Sequence, residues 1–331
     1  MKAFRYVRPA SLAAAARAAA HEGAVLKAGG TDLLDRMKER VTAPDDVVAV
    51  GEAGDASRAI VVDADGTLAI GAFATLADVA ASPHVRSRLA ALAAAAELAA
   101  SPQIRHRATV GGNLCQRSRC GYYRLLSFPC LRRGDATCPV LEEGAVQEHA
   151  ALFGNDACAS SHPSSLAPVL CAAGARVVVH GGDAPVTREL ATFWRAPARG
   201  DDSDVDLAPG AVVAELRVPP LAARSGVAYE EVRQRAAFDW ALASCAARIA
   251  LDGEGRIADA AVWLGSVAPA PFRAAGAEAA LRGKSPVAGA FDAAAAAALA
   301  GARPLPGNAY KADLVRVVVR RALVRAAEGV R

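Results

Sequence analysis

Two Gly-Gly pairs, each directly after a short apolar run, are the feature that most restricts how this chain can fold. Gly29 and Gly30 lie in KAGGTDLL, and a second pair lies in TVGGN, residues 109–113. Glycines let backbone N–H groups approach a phosphate closely, and a helix N-terminus adds a favourable partial charge. Thr31 and Asp32 follow the first pair and are suited to cap such a helix. One pair alone is commonly a plain turn, whereas two loops together could supply the several N–H donors that a diphosphate needs. Neither pair has the G-x-G-x-x-G pattern, which disfavours a doubly wound nicotinamide-binding domain.

Short apolar runs bounded by Gly and Asp predict strands over 46–50, 59–63 and 68–72. Helical patterns begin at about Leu76 and then cover about 85–100. The first part of the chain is therefore expected to contain both short strands and helices.

The chain changes character after a Pro/Gly/Asp-rich loop over 195–210. Three stretches, VAYEEVRQR, ALASCAARIALD and RIADAAVWLGSV, then predict an antiparallel sheet, and two or three helices follow. A domain boundary is expected near residue 220, between a domain over 1–220 and another over 221–331. Alternating helices and strands before the boundary, and strands then helices after it, indicate an α+β protein in two parts.

Cysteine is concentrated in one segment. Four of the seven cysteines lie between Cys115 and Cys138, and Cys158 follows. The odd total and the uneven spread argue against a disulfide framework, which fits a reducing compartment. Zinc sites usually contain a close pair of cysteines, which only Cys115 and Cys120 approach, and ordinary ferredoxin spacing is absent. The spacing leaves three interpretations open: an iron–sulfur cluster, a zinc site, or free or structural thiols.

Five arginines crowd the first half of this segment with no acidic residue among them: Arg117, Arg119, Arg124, Arg132 and Arg133. Positive charge and hydrogen bonds around a four-thiolate cluster would tune its reduction potential. The alternative interpretation is a solvated basic face.

Charge and composition argue against several classes of function. The net charge of +4 is small and scattered, and only 5% of the residues are aromatic, so no nucleic-acid partner is expected. No run of 18 or more apolar residues is free of charge, so no membrane insertion is expected. The first residues, MKAFRYVRPAS, contain no apolar core of a signal peptide. Ser-His-Asp, H-E-x-x-H and P-loop patterns are not found.

Six motifs follow one another in an order and spacing typical of one family: KAGGTDLLDRMK, IGAFATLADV, IRHRATVGGNL, HPSSLAP, RAAFDWALAS and NAYKADLVRVVVRRAL. Over essentially its whole length the chain resembles the FAD-binding (medium) subunit of molybdenum hydroxylases, the group of xanthine dehydrogenase, aldehyde oxidoreductase and carbon monoxide dehydrogenase. The resemblance implies a two-part FAD-binding domain of the vanillyl-alcohol-oxidase/PCMH type, followed by a small α+β C-terminal domain. It also implies FAD contacts at Lys27, Ala28, Gly29, Gly30, Thr31, Asp32, Leu33, Thr109, Gly111, Gly112, Asn113, Ser164 and Ser165.

Two positions depart from the family pattern. The family often has Ser-Asp-Leu where this chain has Ser164-Ser165-Leu166, and it often has Lys where Glu231 stands. Both changes alter charge expected near the flavin ring, which bears on the choice of electron acceptor. Neither change removes the expected diphosphate site.

The cysteine segment, about 115–160, is similar to that of the aldehyde oxidoreductase branch, whose flavin subunit carries an additional [4Fe–4S] cluster. The resemblance implies that Cys115 is a spare thiol beside the second Gly-Gly pair. The cysteines that match the ligand positions are Cys120, Cys130, Cys138 and Cys158.

The family resemblance implies an oxidoreductase component that transfers electrons in a heterotrimer. A molybdenum-cofactor large subunit would oxidise a substrate, a [2Fe–2S] small subunit would relay electrons, and this chain's FAD would pass them to an external acceptor. The location implied is cytoplasmic, or periplasmic by co-export with a signal-bearing partner subunit.

Two other functions stay open from the sequence. A stand-alone FAD oxidase of the vanillyl-alcohol type would share the FAD-binding architecture, but it would need a larger second domain for its substrate. A zinc-stabilised scaffolding subunit with a degenerate flavin site is the other alternative.

Residues outside these motifs are expected to serve packing. Cys171 lies in an apolar helix context, which is typical of a buried small hydrophobe. Tyr310 and Lys311 open the last helix and are expected to pack the domains together. Asp239 and Trp240 are expected to pack the second domain, with contact to the flavin as the alternative.

Overall fold

Three sheets, each built from a separate stretch of the chain, form the framework of this protein. A computed structural model describes residues 1–51, 55–181, 184–201 and 203–330. The mixture of helices with parallel and antiparallel sheets confirms the α+β class. No helix within the described residues is both long and apolar enough to cross a bilayer.

The first sheet is parallel, and its middle strand is buried on both faces. On one face, Val47 packs with Met37 of the helix over Leu33–Lys38. On the other face, Val48 packs with Ala15 of the helix over Leu12–Ala18. The strand order is β1-β3-β2. The elements of this part are β1 (Arg5–Val7), α1 (Leu12–Ala18), β2 (Ala24–Lys27), α2 (Leu33–Lys38) and β3 (Asp46–Ala49).

The second sheet is antiparallel, with the strand order β4-β5-β8-β6-β7. Its strand β8 lies last in the sequence but in the middle of the sheet, where it pairs with β5 on one side and β6 on the other. The elements are β4 (Ile60–Val62), β5 (Leu68–Gly71), α3 (Leu76–Ala81), α4 (Pro83–Arg88), α5 (Ala90–Leu98), α6 (Pro102–Arg105), α7 (Val110–Cys115), α8 (Gly121–Arg124), α9 (Leu166–Ala172), β6 (Arg176–His180), β7 (Val186–Glu189) and β8 (Val212–Val218).

The third sheet is antiparallel, with the order β12-β11-β10-β9, and three helices follow it along the chain. This agrees with the strands and then helices that the sequence predicts after residue 220. The elements are β9 (Ser225–Val232), β10 (Ala243–Leu251), β11 (Ile257–Gly265), β12 (Phe272–Arg273), α10 (Ala275–Leu281), α11 (Ala288–Ala297) and α12 (Lys311–Glu328).

Both faces of the third sheet are covered. Ala246 and Trp263 belong to the apolar core shared with α5 and α9 of the first domain. Cys245, Ala247 and Val262 belong to the core formed with α12. Because alternate residues of a strand point to opposite faces, burial on both sides explains why these strands are apolar at nearly every position.

Two sequence predictions of local structure are wrong in detail. The single helix expected over about 85–100 is divided into α4 and α5 at Leu89, which is buried and whose backbone is not helical (φ −150°, ψ 67°). The second Gly-Gly pair, expected as a turn, lies inside α7. The strands predicted over 46–50, 59–63 and 68–72 are confirmed as β3, β4 and β5.

Lys311 joins α12 to the two segments that pack over it. Its side chain is almost fully buried, and its Nζ donates hydrogen bonds to the carbonyl oxygens of Ala150 (2.9 Å) and Ser266 (2.8 Å). In the variant Lys311→Met both carbonyls lose their side-chain donor. We expect the free energy of unfolding to fall by about 1–3 kcal/mol, which is the usual cost of leaving a buried polar group unpaired. Urea unfolding followed by circular dichroism measures this change.

The effect of Lys311 should also depend on pH. Burial lowers the pKa of Lys311 to about 7, whereas in the unfolded chain it is about 10.4. Between these values the unfolded chain binds a proton that the folded protein does not, so the contribution of Lys311 to stability rises with pH and is smallest below about pH 7. The stability difference between the wild type and Lys311→Met should therefore grow from about pH 7 to pH 10. The exposed Lys284, changed to Met, is the control, and a difference that stays constant with pH would contradict the prediction.

Candidate functional site

The first Gly-Gly pair packs against the backbone that leads to the second pair, which lies 82 residues further along the chain. A side-chain carbon on Gly29 would lie 1.8 Å from the carbonyl oxygen of Arg107, which directly precedes the second loop. Gly30 has a φ of +82°, in the left-handed region that favours glycine. The sequence therefore needs glycine at these two positions for two different reasons, close approach and backbone conformation.

The second loop is tied down by its own backbone hydrogen bonds. The N–H groups of Val110 and Gly111 donate to the carbonyls of Ala74 (2.9 Å) and Ala72 (2.8 Å). Thr109 caps α7, because its side chain accepts a hydrogen bond from the N–H of Gly112 at 3.1 Å. The sequence suggested N–H donors from both loops, but these donors are already used within the protein.

The first loop differs in this respect. In the part of the chain that the structure describes, no hydrogen bond is donated by the N–H groups of residues 29–33, whereas the carbonyl of Gly30 accepts the N–H of Leu34 at 3.0 Å. The N–H donors available to an anion therefore come from the first loop, and the second loop supplies a closely packed wall.

Asn113 and Ser164, also expected in the site, connect α7 to α9. The hydroxyl of Ser164 donates to Oδ1 of Asn113 at 2.5 Å and accepts from the N–H of Ala167 at 3.1 Å. Lys27 lies at the end of β2, with its Nζ 3.3 Å from the carbonyl oxygen of Ala28. These contacts fix the two loops relative to the second sheet.

Two cavities meet at these loops. The smaller has a volume of about 230 Å³, and of the expected residues it is lined by Thr31, Asp32, Gly112, Asn113 and Ser165. The larger, about 620 Å³, is lined by Ala28, Leu33, Gly111 and Gly112 among others. Gly112 lines both. The other expected residues line neither of these two cavities: Lys27, Gly29, Gly30, Thr109 and Ser164.

Asp32 has a role that its position at the start of α2 does not suggest. Its side chain makes no helix-capping hydrogen bond. Instead its carboxylate pairs with Arg36 (3.0 Å), Arg119 (3.2 Å) and Arg124 (2.6 Å). Burial alone would raise the pKa of the Asp32 carboxyl, but the three arginines hold it below its ordinary value. Asp32 therefore ties the first loop to the start of the cysteine segment, Cys115–Cys158.

The interpretation of the five arginines as a solvated basic face is wrong. Arg124 and Arg132 are buried. Arg124 pairs with Glu39 at 3.2 Å as well as with Asp32, and Arg133 donates to main-chain carbonyls of its own segment. The acids that neutralise this segment come from other parts of the chain, so local sequence did not reveal them.

Arg132 is the arginine that reaches a cysteine. Its Nε donates to Sγ of Cys158 at 3.4 Å, and its Nη2 donates to the hydroxyl of Ser160 at 2.9 Å. Its Nη1 pairs with the buried carboxylate of Asp204. The positive charge of Arg132 is therefore held beside a buried sulfur.

Three of the five cysteines of the segment belong to one apolar cluster, and Cys130 lies near one of them, Cys120. Cys138 and Cys158 are buried together and Cys120 packs against them. The neighbouring Cys138 and the guanidinium of Arg132 lower the pKa of Cys158 against the effect of burial. Burial raises the pKa of Cys120, and Cys158 and Cys130 add to this rise. Cys115 packs instead against the core of the first domain, where burial raises its pKa to about 12.

Among the described residues, no group of three or more His, Cys, Asp or Glu side chains is arranged to hold a metal ion. The cysteine group therefore contains no ready-made site for a single zinc ion.

The residues that depart from the family pattern belong to a buried network. The hydroxyl of Tyr229 donates to Oε2 of Glu231 at 2.7 Å, and Arg233 pairs with Oε1 at 2.8 Å. Burial raises the pKa of Glu231. Ser165, which lines the smaller cavity, lies near Tyr229, whereas Glu231 does not line that cavity.

Sequence reasoning did not place Arg119 or Phe238, among other residues, in the smaller cavity. It treated Asp239 and Trp240 mainly as packing residues, and both line the same cavity. The available signal was the pair of aromatic residues that flank Asp239 in RAAFDWALAS. This segment is far from the first loop in the sequence, so its position opposite that loop could not be predicted.

Known proteins resemble this chain in both sequence and structure. The sequence profile of the FAD binding domain in molybdopterin dehydrogenase matches residues 2–221, and that of the CO dehydrogenase flavoprotein C-terminal domain matches residues 227–326. The chain is 35% identical over 285 residues to the aldehyde oxidoreductase FAD-binding subunit PaoB of Escherichia coli (strain K12), which covers 85% of this chain and 86% of the relative. It is 30% identical over 326 residues to the carbon monoxide dehydrogenase medium chain of Hydrogenophaga pseudoflava, covering 97% and 96% of the two chains.

The solved structures agree with these relatives. Carbon monoxide dehydrogenase from Hydrogenophaga pseudoflava superposes with a TM-score of 0.76 at 31% identity, covering 99% of this chain and 98% of the other. Quinoline 2-oxidoreductase from Pseudomonas putida 86 shares the fold, with a TM-score of 0.76 at 23% identity over 99% of both chains. The match after residue 226 to a flavoprotein C-terminal domain leaves the stand-alone oxidase without support. The chain belongs to the family of FAD-binding subunits of molybdenum hydroxylases, and it is the flavoprotein component of an oxidoreductase.

Proposed function

We propose that this chain carries electrons from the other subunits of a molybdenum hydroxylase through FAD to an external acceptor, with the flavin held across the two cavities that meet at Gly112. The observation that supports this placement is the close approach of Gly29 to the backbone that leads to the second Gly-Gly pair, beside the N–H groups of residues 29–33, which donate no hydrogen bond within the described part of the chain. A diphosphate needs such convergent donors. FAD supplies the reversible two-electron chemistry, and the protein supplies its binding and surroundings.

The parts of the cofactor are assigned by the chemistry of the walls. The diphosphate belongs at the N–H groups of residues 29–33, where Asp32 contributes its backbone because its carboxylate is engaged by arginines. The flavin ring belongs in the smaller cavity, beside Ser165 and the aromatic residues. The rest of FAD extends past Gly112 into the larger cavity.

We further propose a [4Fe–4S] cluster on Cys120, Cys130, Cys138 and Cys158. Cys138 and Cys158 are buried together, Cys120 packs against them, and Cys130 lies near Cys120. Arg132 places a buried positive charge and an N–H donor beside Cys158, which suits a negatively charged four-thiolate cluster.

The partners follow from the family. The chain forms a heterotrimer with a [2Fe–2S] small subunit and a molybdenum-cofactor large subunit, and the substrate, an aldehyde, binds on the large subunit. FAD occupies the domain over 1–220, the cysteine segment lies within it, and the domain over 221–331 covers the flavin. The compartment is that of the partners, cytoplasmic or, by co-export with a signal-bearing subunit, periplasmic.

Anaerobic purification with assays of flavin, iron, sulfide and zinc tests both cofactors. We expect flavin absorption together with about four irons and four sulfides per chain. Cys130→Ala and Cys158→Ala should lose iron and sulfide and retain flavin, whereas Cys171→Ala, a buried thiol of α9, should retain both. Purified protein that contains flavin but no iron and sulfide would overturn the proposal of a cluster and leave the proposal of an FAD site standing. A chain that binds no FAD on reconstitution would overturn the central proposal.

A further inference from the structure

The loop between β9 and β10 holds a bulky residue in an unfavourable backbone conformation. Phe238 has a φ of +53°, a region that large side chains rarely adopt. Its ring is also 55% exposed, so burial does not offset the strain. Strained backbone of this kind is typical of functional sites rather than of packing.

The neighbouring side chains hold this conformation in place. The carboxylate of Asp239 accepts hydrogen bonds from the N–H groups of Arg235 (3.0 Å) and Trp240 (3.0 Å). The guanidinium of Arg235 donates to the carbonyl of Phe238 at 3.3 Å. The position of Phe238 is therefore set by at least three hydrogen bonds around a five-residue turn.

Arg119 connects this loop to the first domain. Its guanidinium lies 5.1 Å from the ring centroid of Trp240, within the range of a cation–π contact. The same guanidinium is 3.2 Å from carboxylate oxygens of Asp32 and Asp35. Trp240 is thereby held against the loop that leads into α2, across the smaller cavity.

Both aromatic rings face the place where the flavin ring is assigned. Phe238 and Trp240 line the smaller cavity together with Gly112 and Ser165. Ala100, whose φ is also positive at 51°, lines it too. Two strained non-glycine residues at one cavity indicate that its shape is held for a ligand.

We propose that Phe238 and Trp240 form an aromatic cover that packs on the flavin ring and limits the access of small solutes to it, with Asp239 and Arg119 as positioning residues. This inference rests on the placement of FAD given above. Flat aromatic faces suit a flat conjugated ring, and the cover is held by hydrogen bonds and ion pairs that exist without the flavin.

The test uses the full chain, stripped of flavin and titrated with FAD. Trp240→Leu and Phe238→Leu should each raise the Kd for FAD roughly threefold to tenfold, the range expected for loss of one aromatic contact. Iodide should quench the bound flavin's fluorescence more strongly in both variants. Phe4→Leu is the control, because Phe4 is an exposed aromatic residue that lines none of the cavities around the cover, and it should change neither quantity.

Phe238→Gly separates a role in binding from a role in folding. Glycine relieves the positive φ, so we expect its thermal midpoint to be equal to or above that of the wild type while its Kd for FAD rises. A lower thermal midpoint with unchanged Kd would assign Phe238 a structural role and overturn the inference. Unchanged Kd and unchanged iodide quenching in both leucine variants would also overturn it and leave the FAD site standing. A wild-type chain that binds no FAD would instead remove the proposed function as well.

Discussion

Gly29→Ala is expected to lose most of its FAD while the protein stays folded. The added carbon would lie 1.8 Å from the carbonyl oxygen of Arg107 and 2.7 Å from the carbonyl carbon. Both are backbone atoms that no side-chain rotation can move away, so the two loops must separate. Forcing extra atoms into a packed site costs about 1–3 kcal/mol, which corresponds to FAD binding weakened about 5- to 150-fold. Reconstitution of the flavin-free chain with FAD measures the change.

Gly289→Ala is the matched control for this substitution. A side-chain carbon on Gly289 would meet no atom within 4 Å, and the residue lies in α11, away from both cavities. The control should bind FAD as the wild type does and should unfold at the same temperature or a slightly higher one. Gly29→Ala that binds FAD normally would mean that the contact between the loops is not needed for the cofactor site.

Arg132→Met should be the most destabilising substitution considered for this chain. The side chains of Arg132 and Asp204 are 1% and 2% exposed and pair with each other. Oδ2 of Asp204 already has no hydrogen-bond partner, so removal of Arg132 leaves a buried carboxylate without a counter-charge. Removing one partner of a buried ion pair typically lowers the free energy of unfolding by about 3–5 kcal/mol. The thermal midpoint and urea unfolding of the full chain measure the loss.

Two further variants distinguish this explanation from a simple loss of packing. The double variant Arg132→Met with Asp204→Leu removes both charges and should recover most of the stability. Arg217→Met breaks the half-exposed pair with Asp63 and should cost only about 0–1 kcal/mol. A double variant as unstable as Arg132→Met would show that the lost contacts of Arg132 to Ser160 and Cys158, and not the unpaired charge, cause the effect.

Local pattern was enough for much of the fold. The strands β3, β4 and β5 were predicted because a buried strand appears in the sequence as a short run of consecutive apolar residues. The strands and helices after residue 220 were predicted for the same reason. The helix over 85–100 was predicted too long, because the buried, non-helical Leu89 that divides it is placed by packing and not by its neighbours in sequence.

The cofactor site was predicted less completely. The Gly-Gly pairs identified the two loops, but not which of them offers free N–H groups, since that depends on the backbone partners of Val110, Gly111 and Gly112. Arg119 and Phe238 were missed because they reach the cavity from segments far from both loops. The four proposed cluster ligands were identified by resemblance, whereas the spacing of the cysteines had left three interpretations open.

The sequence by itself determined where the two Gly-Gly loops lie along the chain, the order of most strands and helices, and the family. Only the tertiary structure decided the electrostatics. Arg124 pairs with Asp32 across 92 residues of sequence, and Arg132 pairs with Asp204 across 72. Backbone conformation and amphipathic pattern are properties of neighbouring residues and can be recognised locally. A charged side chain interacts with whatever groups the fold brings within a few ångströms. Its ion-pair partner, its burial and the shift of its pKa are therefore set only when the chain folds.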